Sequence, residues 1–288
     1  LISPRPSSPA LDELLGIPHQ VLDHGFIRVV DYMGNDAAVV QAARVSYGEG
    51  TKSVSDDRGL IRYLMRNRHT SPFEMCEIKL HVKLPLFVAR QWIRHRTANV
   101  NEVSGRYSVL SKEFYIPACP DIAGQSGKNK QVRNDTPLEV EEAEAVRSIL
   151  MAACESAYSD YEELLGERQV ARELARMVLP TNIYTEWYWK VDLHNLLHFL
   201  QLRIHPHAQL EMRKYAEVLF GIVKEWVPTC AEAFQDYRVD ARLMSRQELA
   251  VLRAWMREDR PDAKTSGLSV REMEDLKALI LGEVNDAN

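Results

Sequence analysis

The chain is poor in cysteine, and its four cysteines, Cys76, Cys119, Cys154 and Cys230, form no CxxC pair. Their wide, irregular spacing resembles neither a zinc framework nor a disulfide scaffold, so a reduced cytoplasmic protein is the expectation. No apolar run is long enough to span a bilayer. The Pro- and Ser-rich start, Leu1 to Pro9, lacks the apolar core of a signal peptide. The chain begins with Leu rather than Met, which leaves its true start open. Basic excess is missing too: 36 Lys and Arg against 41 Asp and Glu leave a net charge of −5. No global field therefore points to nucleic acid or to an anionic membrane. Internal repeats, low-complexity tracts and βαβ regularity are absent.

What is present is a chain of 288 residues with 45% hydrophobic and 27% charged residues, enough to bury a real core. Arginine is used more than lysine, which directs attention to local arginine clusters, because the guanidinium fork suits phosphates and carboxylates. Residues 1–20 read as a loose N-terminal arm. Phe26 to Tyr32 suits a strand, and Gly34-Asn35-Asp36 then opens a helix to Val45. Asp56 and Asp57 open another, with Leu60, Ile61, Leu64 and Met65 on one face, ending near Asn67.

The clearest strand is Cys76 to Leu84. Cys76, Ile78, Leu80, Val82 and Leu84 point one way, and Glu77, Lys79, His81 and Lys83 the other, as a half-buried strand requires. Pro85 starts a helix where its missing N–H does no harm, and that helix runs to Arg94. Residues 120–137 read as a surface loop, Glu139 to Leu165 as a long helix, and Val170 to Leu179 as another, stopped by Pro180. Ile183 to Val191 is aromatic and β-branched enough for a strand, and its Trp187-Tyr188-Trp189 run reads as packing rather than as a stacking platform. Asp192 caps a helix to about Arg203. Ala208 to Trp226 is a further amphipathic helix. Ser245 to Leu281 reads as two helices around a loop at Pro261. Strands and helices mixed in this way favour an α+β fold, a single domain with a central antiparallel-type sheet flanked by helices. The expected division is an arm over 1–20, the main domain over 21–238 and a helical extension over 239–288.

Chemistry concentrates at the end of the helix that Pro85 starts. Arg90, Gln91, Arg94, His95 and Arg96 fall within seven residues, and Glu102, Ser104 and Arg106 follow. Forked cations and hydroxyls at this density suit a phosphate-bearing ligand; a solvated basic turn is the plain alternative.

Arg94-His95-Arg96, seven residues, then Ser104 is similar to the signature of the flavin-dependent thymidylate synthases. Gly105-Arg106-Tyr107-Ser108 and Glu113-Phe114-Tyr115 extend the resemblance. So do His69-Thr70-Ser71-Pro72-Phe73-Glu74, Arg176-Met177-Val178-Leu179-Pro180, the helix from His194 to Arg203, Gly34-Asn35-Asp36, and Ala42-Ala43-Arg44-Val45-Ser46. The blocks run in order from about Leu22 to Tyr237.

The resemblance implies reductive methylation of dUMP to dTMP. FAD reduced by NADPH supplies the hydride, 5,10-methylenetetrahydrofolate the one-carbon unit, and no cysteine nucleophile is needed. It implies a homotetramer with sites shared between subunits. It implies that Arg94, His95 and Arg96 contact flavin, Arg94 also lying close to the nucleotide, that Ser71 lies near the FAD phosphates and that His69 lies near the flavin. His194 and His198, four apart on one helix face, can each hydrogen-bond a flavin. Asp192, which stands where other members carry asparagine, and Glu102 also fall in the set that the resemblance implies for the cofactor. Gln91, Ser104, Gly105, Arg106 and Arg176 resemble the dUMP set. Ser104 and the Gly105 backbone can donate to a phosphate, and glycine permits close approach. Glu102 suits a ribose hydroxyl or orients a neighbouring arginine. Arg203 resembles the family's arginine against the uracil ring, where a fixed cation stabilises developing negative charge; offsetting the helix dipole is its plain alternative.

Two other classes compete. His194 and His198, with His205 and His207 nearby, could hold a metal, but no HExxH and no obvious third carboxylate accompany them, so no metal is expected. A nucleic-acid module built on Arg90 to Arg106 fails on net charge and on motif. Tightly bound flavin separates the enzyme from both.

Overall fold

The structure, a computed structural model, describes residues 6–45, 57–127, 132–257 and 261–281. Ser46 and Asp56, which the sequence reading placed at a motif and at a helix start, lie outside the described residues. The chain divides into two compact units, Leu1–Val239 and Asp240–Asn288.

In the first unit, α1 (Pro9–Asp12) leads to β1 (Pro18–Val21) and β2 (Gly25–Met33), then α2 (Asp36–Val45) and α3 (Asp57–Arg66). A 3-10 turn (Phe73–Met75) precedes β3 (Glu77–Pro85), α4 (Leu86–Trp92) and β4 (Asn99–Glu102). After a turn at Cys119–Asp121 come β5 (Ala123–Gln125), β6 (Arg133–Pro137), α5 (Val140–Leu165), α6 (Arg172–Ala175) and a 3-10 turn (Arg176–Val178). Then follow β7 (Tyr184–Asp192), α7 (Leu193–Arg203), α8 (Leu210–Trp226), α9 (Pro228–Phe234) and a π turn (Gln235–Val239).

The fold is α+β, as expected. Five strands form a sheet in the order β1-β2-β3-β7-β4, with every pairing antiparallel. The alternation of β3 decides how the layers stack. Cys76, Ile78, Leu80, Val82 and Leu84 are all fully buried. This apolar side belongs to one core with Trp92 of α4, Leu196 and Phe199 of α7, and Met212 and Tyr215 of α8. Burying such a row removes apolar surface from water at roughly 25 cal/mol per Å². The opposite side keeps Lys79, His81 and Lys83 partly exposed.

An aromatic cluster locks this core. Trp92 lies 4.6 Å from Phe199, 5.2 Å from Trp189, 5.9 Å from Trp187 and 6.1 Å from Tyr215, ring centre to ring centre. Trp187 and Trp189 are buried while Tyr188 is exposed, so the aromatic run serves packing on one face of β7. Truncating a residue like Trp92 to alanine typically costs about 3–5 kcal/mol.

Four local expectations are corrected. The arm is built into the fold over its described part. Leu11 is fully buried, Ser8 Oγ donates to the Glu225 carbonyl at 2.8 Å, and Tyr32 Oη donates to Asp12 at 2.6 Å. The 120–137 segment carries β5 and β6, paired antiparallel. The helix expected over Val170 to Leu179 is two short turns, because Ala171 is extended and Leu179, before Pro180, is extended too. The 239–288 extension holds three helices, α10 (Arg246–Trp255), α11 (Ala263–Ser266) and α12 (Val270–Leu281). Ser245 and Glu248 form a capping box at α10, Asp262 and Thr265 a second at α11, and Val251, Leu268, Met273 and Leu276 make the small core of this unit.

Candidate active site

Asp192 caps α7 as the sequence suggests. Its Oδ1 accepts from the Asn195 backbone N–H at 2.9 Å and its Oδ2 from the Asn195 side chain at 2.7 Å. Both carboxylate oxygens are thus engaged in starting the helix that carries His194, His198 and Arg203. Leu193, Leu196, Leu197 and Leu200 bury the helix's apolar stripe. The stripe fixes the rotation of α7 and leaves His198 exposed and Arg203 half-buried at the C-terminus.

The α4 end arrives at the same place through Trp92. Two residues beyond the helix's C-cap, His95 packs edge-on against Phe199 at 4.9 Å and faces His198 at 5.9 Å. Arg203 Nε donates to His95 Nε2 at 3.1 Å. Only a neutral ring can accept there, so the His95 proton sits on Nδ1. Burial, then the Arg203 cation, then His198 push the His95 ring down to about 4, which keeps it neutral at pH 7. Burial also lowers Arg203 from the usual guanidinium range. The Arg203 Nη nitrogens have no partner among the described residues. A half-buried guanidinium is therefore aimed by a neutral histidine and left with its fork open.

The surrounding cations are open as well. Arg90, Arg94 and Arg96 are exposed, and none has a carboxylate partner among the described residues. Gln91 donates through its amide nitrogen to Gln209 Oε1. Sequence reading missed Gln209 and Glu211. A signal existed: Glu211 lies on the apolar stripe of α8 with Tyr215, Leu219, Ile222 and Trp226, and all five are buried.

A second group forms where β4 leaves the sheet. Glu102 accepts from Thr185 Oγ1 at 2.8 Å, which ties the strand end to β7. Ser104 then turns the chain: its carbonyl accepts from Tyr107 and Ser108, and its Oγ accepts from the Arg106 N–H at 3.3 Å. Gly105 is buried, and a Cβ there would stand 3.3 Å from Leu110 Cδ1 and 3.4 Å from Arg176 Cδ. Its small size thus lets Arg176 pass close to the turn. Arg106 pairs loosely with Glu173 at 3.6 Å, and Arg176 has no acidic partner among the described residues. No hydrogen bond or ion pair among the described residues joins this group to the Arg203 group.

The third block lies on a strained turn. Two residues past the end of α3, Arg68 has φ 60°, the left-handed conformation that glycine normally supplies, and the His69 N–H closes the cap on the Leu64 carbonyl at 3.0 Å. His69 packs edge-on against Tyr63 and is exposed, as is Ser71. The 3-10 turn that follows packs against α7. His205 Nδ1, in contrast, accepts from the His207 backbone at 3.2 Å. Among the described residues no group of three or more His, Cys, Asp or Glu side chains is placed to hold a metal.

These features define an α+β protein with several arginines that have no carboxylate partner among the described residues. Comparison with known proteins gives the family. Residues 28–229 match the family described as thymidylate synthase complementing protein. The chain is 56% identical over 283 residues to the flavin-dependent thymidylate synthase of Gluconobacter oxydans, covering 98% of this chain and 93% of that one. It is 57% identical over 279 residues to that of Ruegeria pomeroyi, covering 96% and 92%. The UMP/dUMP methylase PolB of Streptomyces cacaoi, solved with 5-Br UMP, superposes with a TM-score of 0.69 at 35% identity. That match covers 76% of this chain and 98% of PolB. The chain belongs to the flavin-dependent thymidylate synthase family, and is an enzyme of the methyltransferase class.

Proposed function

We propose that this chain methylates dUMP to dTMP, with 5,10-methylenetetrahydrofolate as one-carbon donor and NADPH as reductant. The observation that carries this reading is Arg203, a half-buried guanidinium with no carboxylate partner among the described residues, aimed by neutral His95. A cation held in place before the substrate arrives stabilises negative charge as it develops on the pyrimidine ring, with no reorganisation during reaction.

The residues fit FAD on the chemistry of the donor set: unpaired arginines, hydroxyls and neutral imidazole suit a pyrophosphate and a polar ring system. Arg94, His95, Arg96, His69, Ser71, His194 and His198 would hold it, with Asp192 acting through the α7 cap. FAD, once reduced, would supply the hydride that completes the methyl group. Gln91, Arg94, Ser104, the Gly105 backbone, Arg106 and Arg176 would bind dUMP, with Glu102 on the ribose or on a neighbouring arginine. Among the described residues no hydrogen bond or ion pair links the Ser104–Arg176 group to the Arg203 group, a separation compatible with sites completed between subunits of a homotetramer. Four free cysteines and the lack, among the described helices, of one long and apolar enough to cross a membrane fit a cytoplasmic setting.

An anaerobic assay of FAD-loaded protein with dUMP, methylenetetrahydrofolate and NADPH should yield dTMP. Arg203→Ala should lower kcat by about 10²–10³-fold while the flavin absorbance stays with the protein. No dTMP from folded, flavin-loaded wild type would sink the functional reading, whereas full activity in the variant would sink only the role of Arg203.

A further inference from the structure

Glu211 is 2% exposed and stands in the first turn of α8. Its carboxylate is met from three directions. Tyr115 Oη donates to Oε1 at 3.2 Å, Arg133 Nη2 of β6 to Oε1 at 2.5 Å, and Gln209 Nε2 to Oε2 at 2.9 Å. Burial of a carboxylate without such donors would cost several kcal/mol, so three donors converge for a reason.

The relay that follows is one of polarity. An ionised carboxylate only accepts, so Glu211 can hold Gln209 only by its NH2 end. Gln209 must then present Oε1 at its other end, and Oε1 can hold Gln91 only by its NH2. The amide of Gln91 is thereby fixed with its carbonyl oxygen as the uncommitted end, and that oxygen has no partner among the described residues. A free glutamine presents donor or acceptor with little preference; this one presents an acceptor.

We propose that Glu211 is a positioning residue for nucleotide recognition, acting through Gln209 to turn the Gln91 carbonyl oxygen toward a hydrogen-bond donor of the substrate. The donors a uridine nucleotide offers are the imide N–H and the ribose hydroxyls. The inference rests on Gln91 contacting dUMP, as proposed above. Arg133, held by the same carboxylate, ties the β5–β6 hairpin to this relay.

The test is a double-mutant cycle on the flavin-loaded full chain, reading the dUMP Kd by calorimetry and the KM and kcat by turnover. Gln91→Ala and Glu211→Gln should each weaken dUMP binding roughly 5- to 10-fold, the range of one lost hydrogen bond. Both should leave kcat and the methylenetetrahydrofolate KM within about twofold. In the Gln91→Ala background, Glu211→Gln should add less than about twofold, because coupled residues are non-additive. Should Glu211→Gln unfold the protein, Gln209→Met breaks the relay while leaving Tyr115 and Arg133 on Glu211, and the same pattern is expected. Weak binding in Gln91→Ala with normal binding in Glu211→Gln and Gln209→Met would overturn the relay alone. A full-size effect of Glu211→Gln surviving in Gln91→Ala would do the same. Normal dUMP binding in Gln91→Ala would overturn the placement of Gln91 itself.

Discussion

His81 and His95 each lie against one arginine, and among the described residues only the first pair is closed by a carboxylate. On the polar face of the sheet, His81 contacts Arg28 through Nδ1 and Glu186 through Nε2 at 2.8 Å, and stacks on Tyr188. Its neighbour Lys83 takes both oxygens of Glu113 at 2.8 Å, and Lys190 pairs with Glu77 at 2.9 Å. At the end of α4, His95 meets Arg203, and neither this pair nor Arg90, Arg94 or Arg96 has a carboxylate partner among the described residues. The two regions use the same residue types. One pairs its cations with carboxylates of the same chain; the other has no such pairs among the described residues. Residue type alone therefore says little about function, and the presence or absence of a counter-charge says much.

The comparison can be broken by altering either side. Arg94→Ala combined with Arg96→Ala should weaken FAD affinity by roughly 100-fold or more, since each charge-assisted hydrogen bond contributes about 1.5–3 kcal/mol. Thermal melts of the flavin-free protein should barely move, because neither arginine has a side-chain partner among the described residues. A large drop in stability instead would show the arginines to be structural. On the closed side, Lys83→Met should cost about 1–2 kcal/mol in denaturant unfolding, leaving Glu113 and Glu186 without their shared cation. Burial pushes the Glu113 carboxyl up, yet the Lys83 and Ser111 hydrogen bonds outweigh it and hold it below the usual range. The dUMP KM and flavin affinity of Lys83→Met should be those of wild type; a loss of either would place the polar face inside the site.

The smallest effect is a pH dependence. The folded His95 ring, at about 4, binds a proton less well than the unfolded chain, at about 6.5. Stability is thus unaffected by this group above pH 6.5 and is lost as pH falls from there toward 4. The contribution should be no more than about 1 kcal/mol, because the ring is half-exposed and solvent screens it. Subtracting the unfolding curve of His95→Gln from that of wild type, pH by pH, isolates it. A difference of the opposite sign would mean that His95 is charged and that Arg203 is not aimed as described.

Much of this was legible in the sequence where a local rule acts alone. The alternation of β3, the apolar face of α3 and the Asp192 cap of α7 each stand on residues close in the chain. Other elements depend on partners far away. α9 was not foreseen because its cap comes from Asp36, whose carboxylate accepts from the Thr229 and Cys230 N–H groups at 2.9 Å across the fold. β4 was not foreseen because Asn99, Val100, Asn101 and Glu102 are all exposed, so no alternation marks it; pairing with β7 alone makes it a strand. In the candidate site, motif blocks pointed to His95, Arg203 and Gly105; His95 and Arg203 meet in a hydrogen bond, and Gly105 packs separately beside Arg176. The Gln91–Gln209–Glu211 relay was invisible because a glutamine's orientation is decided by contacts, not by its place in a sequence.

The order of the sheet also governs how the chain can fail. The nine-residue strands β2, β3 and β7 are interior, while the edges are the four-residue β1, which opens on Pro18, and β4, which ends on Glu102. Short, interrupted or charged edges give a neighbouring molecule little backbone to zip onto. Detaching β1 or β4 would bare a full-length strand with half its side chains apolar. Damage at these margins would therefore show first as self-association of the protein, with clumping in storage or expression preceding any measurable defect in turnover.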